Sequence, residues 1–408
     1  MPNRVAGRVL LLLAIAAAFA FGAQTQAFLV TDSPSYLDPA RAWAQGRGLT
    51  EPSGVPLQGR LPAYPLVLGL VIRWLGEGLT AFTLLNVTLL VAGVLFVRQG
   101  LRLLLPDGGP WVDLVSAVSL LYPPVLTTTA FVLQETLIGC LLAAFFWAAT
   151  AALLRPSTGR GLLAGLTLGL ACLAKVTAAP LAIPLAAALA RVPKPQARRA
   201  LISLFGLAAC LLPWAVRNQQ LVGRFAFSNN NGGVAVLGGT VSNELDWNDF
   251  PEMREALVRW AAGEKMRHTI PDRFFYRVAL ERIRQDPWRW LRLVAGRALR
   301  FALPNRGYFA MVGATRTGTL GPFYLAGVVV QALLFGACLR VGWLVLRRRV
   351  ALVWAVAPTI VLVHWAVYAL SFATPRYNVS FGPLLWACLL LALWHAGRPS
   401  PTPKGGYD

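Results

Sequence analysis

Acidic residues are scarce in this chain. It has 17 Asp and Glu in 408 residues, and 13% of its residues are charged. A soluble domain carries nearer a quarter, so this composition excludes an ordinary soluble enzyme. Cysteine and histidine are as thin. The five cysteines (140, 172, 210, 338 and 388) lie inside apolar runs, and none belongs to a CxxC pair. That argues against a disulfide framework and against a cysteine zinc site. The three histidines (268, 364 and 395) are scattered and show no metal-ligand spacing.

What the chain has instead is apolar length. It is 56% hydrophobic, with a mean hydropathy of +0.57. Several runs approach or exceed the roughly 20 residues that span a bilayer, so the fold class is an all-α polytopic membrane protein. The formal charge of +21 suggests nucleic acid at first sight. Its distribution argues otherwise. Arg and Lys sit in short clusters between apolar runs, the positive-inside pattern.

Arg4 and Arg8 precede an apolar run at 9–30. A signal peptide cleaved after Ala27 is one reading. The run reaches spanning length and more spans follow, which favours a retained first span. An outer loop at 31–78 comes next. Thr31-Asp32-Ser33-Pro34 has the residues of a helix start, and Asp38-Pro39 repeats the signal. The run 61–76 holds two prolines and Arg73, and reads as a short interfacial or re-entrant helix. Spans are expected at 81–97 and 111–129, the latter with Pro123-Pro124 near its end. Gln134-Glu135 marks a turn before the span at 136–154. The pair 162–174 and 176–190 has Lys175 at its turn, and 201–216 follows. Three more spans fall at about 319–345, 350–372 and 378–396.

Ten spans with both termini inside fit the charges. Inner segments then hold 16 Arg and Lys, and outer segments apart from one long block hold six. The chain divides into an N-terminal transmembrane module at 1–216, an outer-face block at 217–318, C-terminal transmembrane helices at 319–398 and a disordered tail at 399–408. The block holds 16 Arg and Lys against 9 acids. Within it Asn229-Asn230-Asn231-Gly232-Gly233 is turn-rich, and Asp286-Pro287 opens a helix. At 100° per residue Arg289, Arg292, Arg297 and Arg300 share one arc, opposite Trp290, Leu291, Val294, Ala298 and Phe301. That pattern describes an amphipathic helix lying in the membrane interface.

Asp32, Glu135, Lys175, Arg217, Arg376 and Tyr377 all fall at outer ends of spans, where one fold can gather them. A carboxylate against apolar surface has a raised pKa unless a cation is near, which suits a general base. Plainer readings stand beside this one: Asp32 as a helix cap, Glu135 as an exposed acid in a turn, Lys175 as a snorkelling interface residue.

Taken in order, the segments resemble bacterial GT-C class glycosyltransferases that use lipid-linked sugars, the group of the protein O-mannosyltransferases and the lipid A aminoarabinose transferase. Asp32 with Tyr36 and Ala40 resembles the acidic motif of their first outer loop. RLPAYPLVLGL at 60–70 resembles their Arg-x-Pro-Gly-Tyr-Pro stretch, with Ala63 where Gly is usual. The segment 123–135 resembles the one leading to a second outer acid. GLTLGLACLAKVTAAP at 165–180, LPWAVRNQQLVGRFAFSNNNGGVAVLGG at 212–239 and Pro375-Arg376-Tyr377 match further motifs. Some relatives carry two adjacent acids in the first loop; here Thr31 and Ser33 flank Asp32.

The resemblance implies an inverting glycosyltransferase. A sugar moves from a polyprenyl-phosphate donor to an acceptor hydroxyl on a glycolipid, polysaccharide or protein, at the outer face of the cytoplasmic membrane. Asp32 is then the general base and Glu135 its helper or the acceptor's guide. Lys175, Arg217 and Arg376 meet the leaving lipid phosphate, while Arg60, Tyr64 and Tyr377 shape the substrate site. With so few acids no divalent metal and no other cofactor is expected. A transporter or flippase of a lipid-linked saccharide is the main alternative, and a polysaccharide ligase or polymerase another. The first predicts charge at the bilayer midplane and internal repeats, which the sequence does not display.

Overall fold

The computed structural model describes residues 4–30, 32–190, 197–228, 232–241, 272–304, 320–372 and 375–397. Expectations for 191 and 194, for 229–231, 242–271 and 305–318 of the outer-face block, for 319, and for the tail from 398 lie outside the described residues.

Among the described residues the chain is helical, with two isolated β-bridges and no strand. Its N-terminal half comprises α1 (Arg4–Gln24), α2 (Pro34–Ala44), α3 (Ala63–Leu75), α4 (Leu79–Leu104), α5 (Gly109–Leu121), α6 (Pro123–Thr127), α7 (Glu135–Leu154), α8 (Thr158–Ala174) and α9 (Ala182–Ala190). The rest comprises α10 (Ala197–Val222), α11 (Gly232–Val241), α12 (Asp272–Gln285), α13 (Pro287–Ala302), α14 (Leu320–Leu346), α15 (Val356–Leu370) and α16 (Gly382–Ala396). Short 3₁₀ turns precede α9, α15 and α16.

Among the described residues, seven helical segments are long and apolar enough to cross a membrane. They are α1, α4, α7, α10, α14, and α15 and α16 with their leading turns. The α5–α6 pair makes an eighth path, bent by 53°. The bend has a chemical cause: Pro123 lacks an N–H, and it pushes Tyr122 into extended backbone, with ψ 116°. The expected count of ten is reached only if α8 and the Val176–Ala190 segment also cross, and both are shorter than a usual span.

The helices pack through small residues, because lipid offers no hydrophobic drive to bring them together. One face of α1 buries Gly7, Leu11, Ala14, Ala18 and Gly22. The crossing of α8 on α10 is very close: a Cβ at Gly165 would stand 1.9 Å from the Ser203 carbonyl oxygen. The glycine of that motif is therefore a packing device. α7 lies at the centre, with fourteen of its side chains buried.

Two expectations are corrected. Asp38-Pro39 opens no second helix. Pro39 sits inside α2, and Asp38 pairs with Arg41 at 2.8 Å. In α13 the arginine arc does not face outward as a unit. Asp286 caps the helix as expected, accepting from the Arg289 amide at 2.8 Å. Arg297 is fully buried, while Leu291 and Leu299 are exposed. Its Nε donates to the Ala369 carbonyl at 2.8 Å and its Nη1 to the Gly239 carbonyl at 2.6 Å. Carbonyls freed at the ends of α11 and α15 pull this one arginine out of the interface.

Candidate active site

The site begins with a short stitch between distant segments. After α1 the chain turns, and Phe28 pairs in parallel with Phe131: its amide donates to the Ala130 carbonyl at 2.6 Å, and the Val132 amide returns a bond at 3.3 Å. Ser33 completes it. Its hydroxyl accepts from the Val30 amide at 2.9 Å and donates to the Val132 carbonyl at 3.0 Å. The segment before α2 is thereby fixed against the segment before α7, which places Asp32 and Glu135 on one side of the bundle.

Pro34 starts α2, yet no side chain caps it. The Asp32 carboxylate turns away from the helix end and takes two guanidiniums. Arg60 Nη2 stands 2.8 Å from Oδ1, and Arg376 Nη2 donates to Oδ2. The plain helix-cap reading of Asp32 does not hold. Arg60 Nε also donates to the Ser35 hydroxyl at 2.8 Å, and its guanidinium lies 4.6 Å over the Tyr36 ring.

Arg376 links the two carboxylates. Beyond Asp32, its Nε faces Glu135 Oε1 at 3.6 Å. Glu135 is 2% exposed, so it is not an exposed turn acid; its Oε2 has no hydrogen-bond partner among the described residues. It stands in the first turn of α7, where the unpaired amides and the helix dipole favour a negative charge. Lys175 does not snorkel outward. It is half-buried at the joint after α8, with its Nζ 3.8 Å over the Tyr377 ring and 5.1 Å over Tyr368. Tyr377, Tyr368 and Phe301 stack in series, with centroids 4.8 and 5.3 Å apart.

Three cations thus meet two carboxylates in a partly exposed cluster at one end of the bundle. Electrostatics follow from that ratio. Burial raises the pKa of Asp32, but Arg60 and Arg376 outweigh it and hold the carboxyl below its ordinary value. The exception stated for a nearby cation applies here, because two guanidiniums face the carboxylate.

Two other candidates stand beneath or beside the cluster. Tyr64 is fully buried, edge-on to Tyr36 at 5.4 Å, with its hydroxyl 3.4 Å from Asn86 Oδ1. Arg217 lies 4.5 Å over Trp214 and donates to the carbonyls of Leu57 at 2.8 Å and Leu49 at 3.2 Å. With Glu51, whose Oε1 accepts from the Gln58 and Gly59 amides, it braces the loop that delivers Arg60.

Sequence reasoning passed over Asn86. It is fully buried in α4, donates to the carbonyls of Thr129 at 3.1 Å and Phe131 at 2.7 Å, and accepts from the Thr136 hydroxyl at 2.9 Å. It ties the approach to Glu135 to the neighbouring span. A lone asparagine inside an apolar run was the available signal. Among the described residues, no three His, Cys, Asp or Glu side chains gather as metal ligands.

Fold and cluster together define a polytopic helical membrane protein with a charged, partly open site at the ends of its spans. No family model and no curated protein matches the chain. Among solved structures it is similar to ArnT from Cupriavidus metallidurans in the apo state. The identity is 16% and the TM-score 0.41, over 93% of this chain and 76% of that one. The same protein bound to undecaprenyl phosphate gives 17% identity and a TM-score of 0.42, over 95% and 78%.

Proposed function

We propose that the chain is an inverting glycosyltransferase that moves a sugar from a polyprenyl-phosphate donor to an acceptor hydroxyl. One observation carries the reading. Asp32, Arg60, Glu135, Lys175, Arg376 and Tyr377 come from five separate stretches that resemble motifs of the GT-C class, and they meet in one cluster. A scaffold has no need of that convergence. A transporter would want its charges near the midplane, and these sit at helix ends.

The proposed chemistry balances simply. The acceptor oxygen attacks the anomeric carbon, its proton passes to an Asp32 oxygen, and the bond from the anomeric carbon to the lipid phosphate breaks with its electrons on the phosphate. A carboxylate held below its ordinary pKa is a weak base. It serves because the hydroxyl proton becomes acidic only as the new bond forms, with charge already building at the sugar. Arg376 spends Nη2 on Asp32 and turns Nε to Glu135, which leaves donors on Nη1 for the leaving phosphate. Lys175, over the Tyr377 ring and with no carboxylate in a direct ion pair among the described residues, supplies a second cation. Arg60 and Ser35 hold Asp32 in place. On this reading no metal takes part, and EDTA leaves turnover unchanged. The cationic ends of the spans further support a cytoplasmic-membrane location with both termini inside and the site on the outer face.

The test is turnover by the purified protein with a panel of polyprenyl-phosphate sugars and hydroxyl acceptors, following release of the lipid phosphate. Release by the native protein and a roughly hundredfold or greater loss in folded Asp32→Asn supports the reading. Full activity in that variant removes Asp32 as base. Silence with every donor and acceptor, joined to movement of lipid in vesicles, replaces the transferase with a transporter.

A further inference from the structure

The other end of the bundle carries a second recess. It forms where the turn after α4 (residues 104–107), the turn after α14 (residues 349–351), Trp354 and the end of α16 meet. Its cavity measures about 400 Å³, within the usual span for bound small molecules, roughly 300–1,000 Å³. Arg376 and His395 stand near opposite ends of one span. At helical rise that separation is about 30 Å, the thickness of the hydrocarbon core. The recess therefore opens at the headgroups of the opposite leaflet, remote from Asp32.

Its walls are of two kinds. Arg349 and His395 bring cationic or donor groups, with Trp354 and Trp394 beside them and one acid, Asp107, on the rim. Leu104, Leu105, Val350 and Ala351 make the remaining wall apolar. The turn that presents Arg349 is held by unusual backbone. Arg348 has φ 54°, the sole non-glycine among the described residues in the left-handed region. Its amide donates to Val345 and that of Arg349 to Leu344, both at 2.9 Å. Such conformations are costly and persist where the surroundings fix them. Neighbouring Arg347 is otherwise engaged, 4.3 Å over Trp343.

A free anion has no use for the apolar wall, and an acyl chain has none for the arginine. We infer that this recess binds the headgroup of an anionic phospholipid, its phosphate at Arg349 and His395 and its glycerol and upper chains along the apolar wall. Basic pockets between spans, flanked by interfacial tryptophan, are built for that ligand. This inference is independent of the proposed transferase activity.

The experiment is native mass spectrometry of the purified full chain in detergent, titrated with phosphatidylglycerol or phosphatidylethanolamine. The native protein is expected to retain phosphatidylglycerol in preference. Arg349→Ala weakens retention roughly fivefold, as removal of one cation near a headgroup should, and His395→Ala, which removes a hydrogen-bonding ring, weakens it less. Arg347→Ala removes the same charge from the same turn and leaves retention unchanged. Arg349→Gln repeats the measurement if the alanine variant does not fold. Equal loss in Arg347→Ala means diffuse attraction and overturns the site. So does full retention in both Arg349 variants, or displacement of the lipid by inorganic phosphate as readily as by phosphatidylglycerol.

Discussion

Asp32 and Asp113 each take two guanidiniums. Around Asp113 the partners are Arg98 at 2.6 Å and Arg102 at 3.1 Å, four residues apart on α4. Around Asp32 they are Arg60 and Arg376, 28 and 344 residues away in the chain. The Asp113 side chain is 2% exposed and the Asp32 side chain 28%. Asp113 has no second acid in its ion pairs, whereas Arg376 reaches on to Glu135. The same three-residue composition thus serves two ends. A cluster built from one helix edge, its carboxylate buried, fastens α4 to α5. A half-open cluster built from distant segments, with a buried carboxylate and a lysine at its margin, leaves donors and water access for chemistry. Charge near a membrane is costly in both places, and only access and provenance separate a clamp from a site.

The comparison can be broken most sharply at the aspartates. Asp32→Asn should cost turnover about 10²- to 10⁴-fold with little change in thermal unfolding. Asp113→Ala should do the reverse. Stripping a buried pair of its partner costs about 3–5 kcal/mol of stability, read as a lower melting temperature in detergent, while the folded fraction keeps its turnover. Loss of turnover in both would mean that neither cluster is special.

The arginines give a smaller, cleaner contrast. Arg376→Lys keeps the charge and loses the planar fork, and turnover should fall by about tenfold or more. Arg102→Lys, at the partly exposed edge of the Asp113 cluster, should change stability by less than about 1 kcal/mol. Asn86→Leu tests the support of the open cluster. It takes a donor from the Thr129 carbonyl and the acceptor from the Thr136 hydroxyl, while the Phe131 carbonyl keeps the Leu133 amide; an unpaired buried group costs about 1–3 kcal/mol, so unfolding shifts downward and turnover falls with it. The smallest effect concerns acid. Asp32 is held below its ordinary 3.8, so its ion pairs are fully made above that value and are lost as pH falls through the lowered one. The rate profile should show no limb from Asp32 between about pH 4 and 6. A limb in that range that vanishes in Asp32→Asn would contradict the cation-held carboxylate.

Much of this was legible before any coordinates. Apolar runs of spanning length can only be helices in lipid, since every backbone group must find its partner within the segment. Charge at a span end is expensive enough to mark a residue, and Asp32, Glu135, Lys175 and Arg376 were visible on that ground. Other features were hidden for physical reasons. A helix-start signature at Asp32 does not reveal that the carboxylate will choose two distant guanidiniums over its own helix. An arc of arginines on α13 does not reveal that Arg297 will turn inward to the Ala369 and Gly239 carbonyls. Asp113 lay within an apolar run in plain view, but its meaning depended on the face that α4 would present.

The sequence by itself determined the medium, the helical class and the residues whose charge demanded an explanation, because hydrophobic length and the cost of charge are local properties of the chain. Tertiary structure alone decided which charges meet, which are sealed and which stay open. Those outcomes depend on helix ends brought together from hundreds of residues apart, and no local pattern records the distance between them.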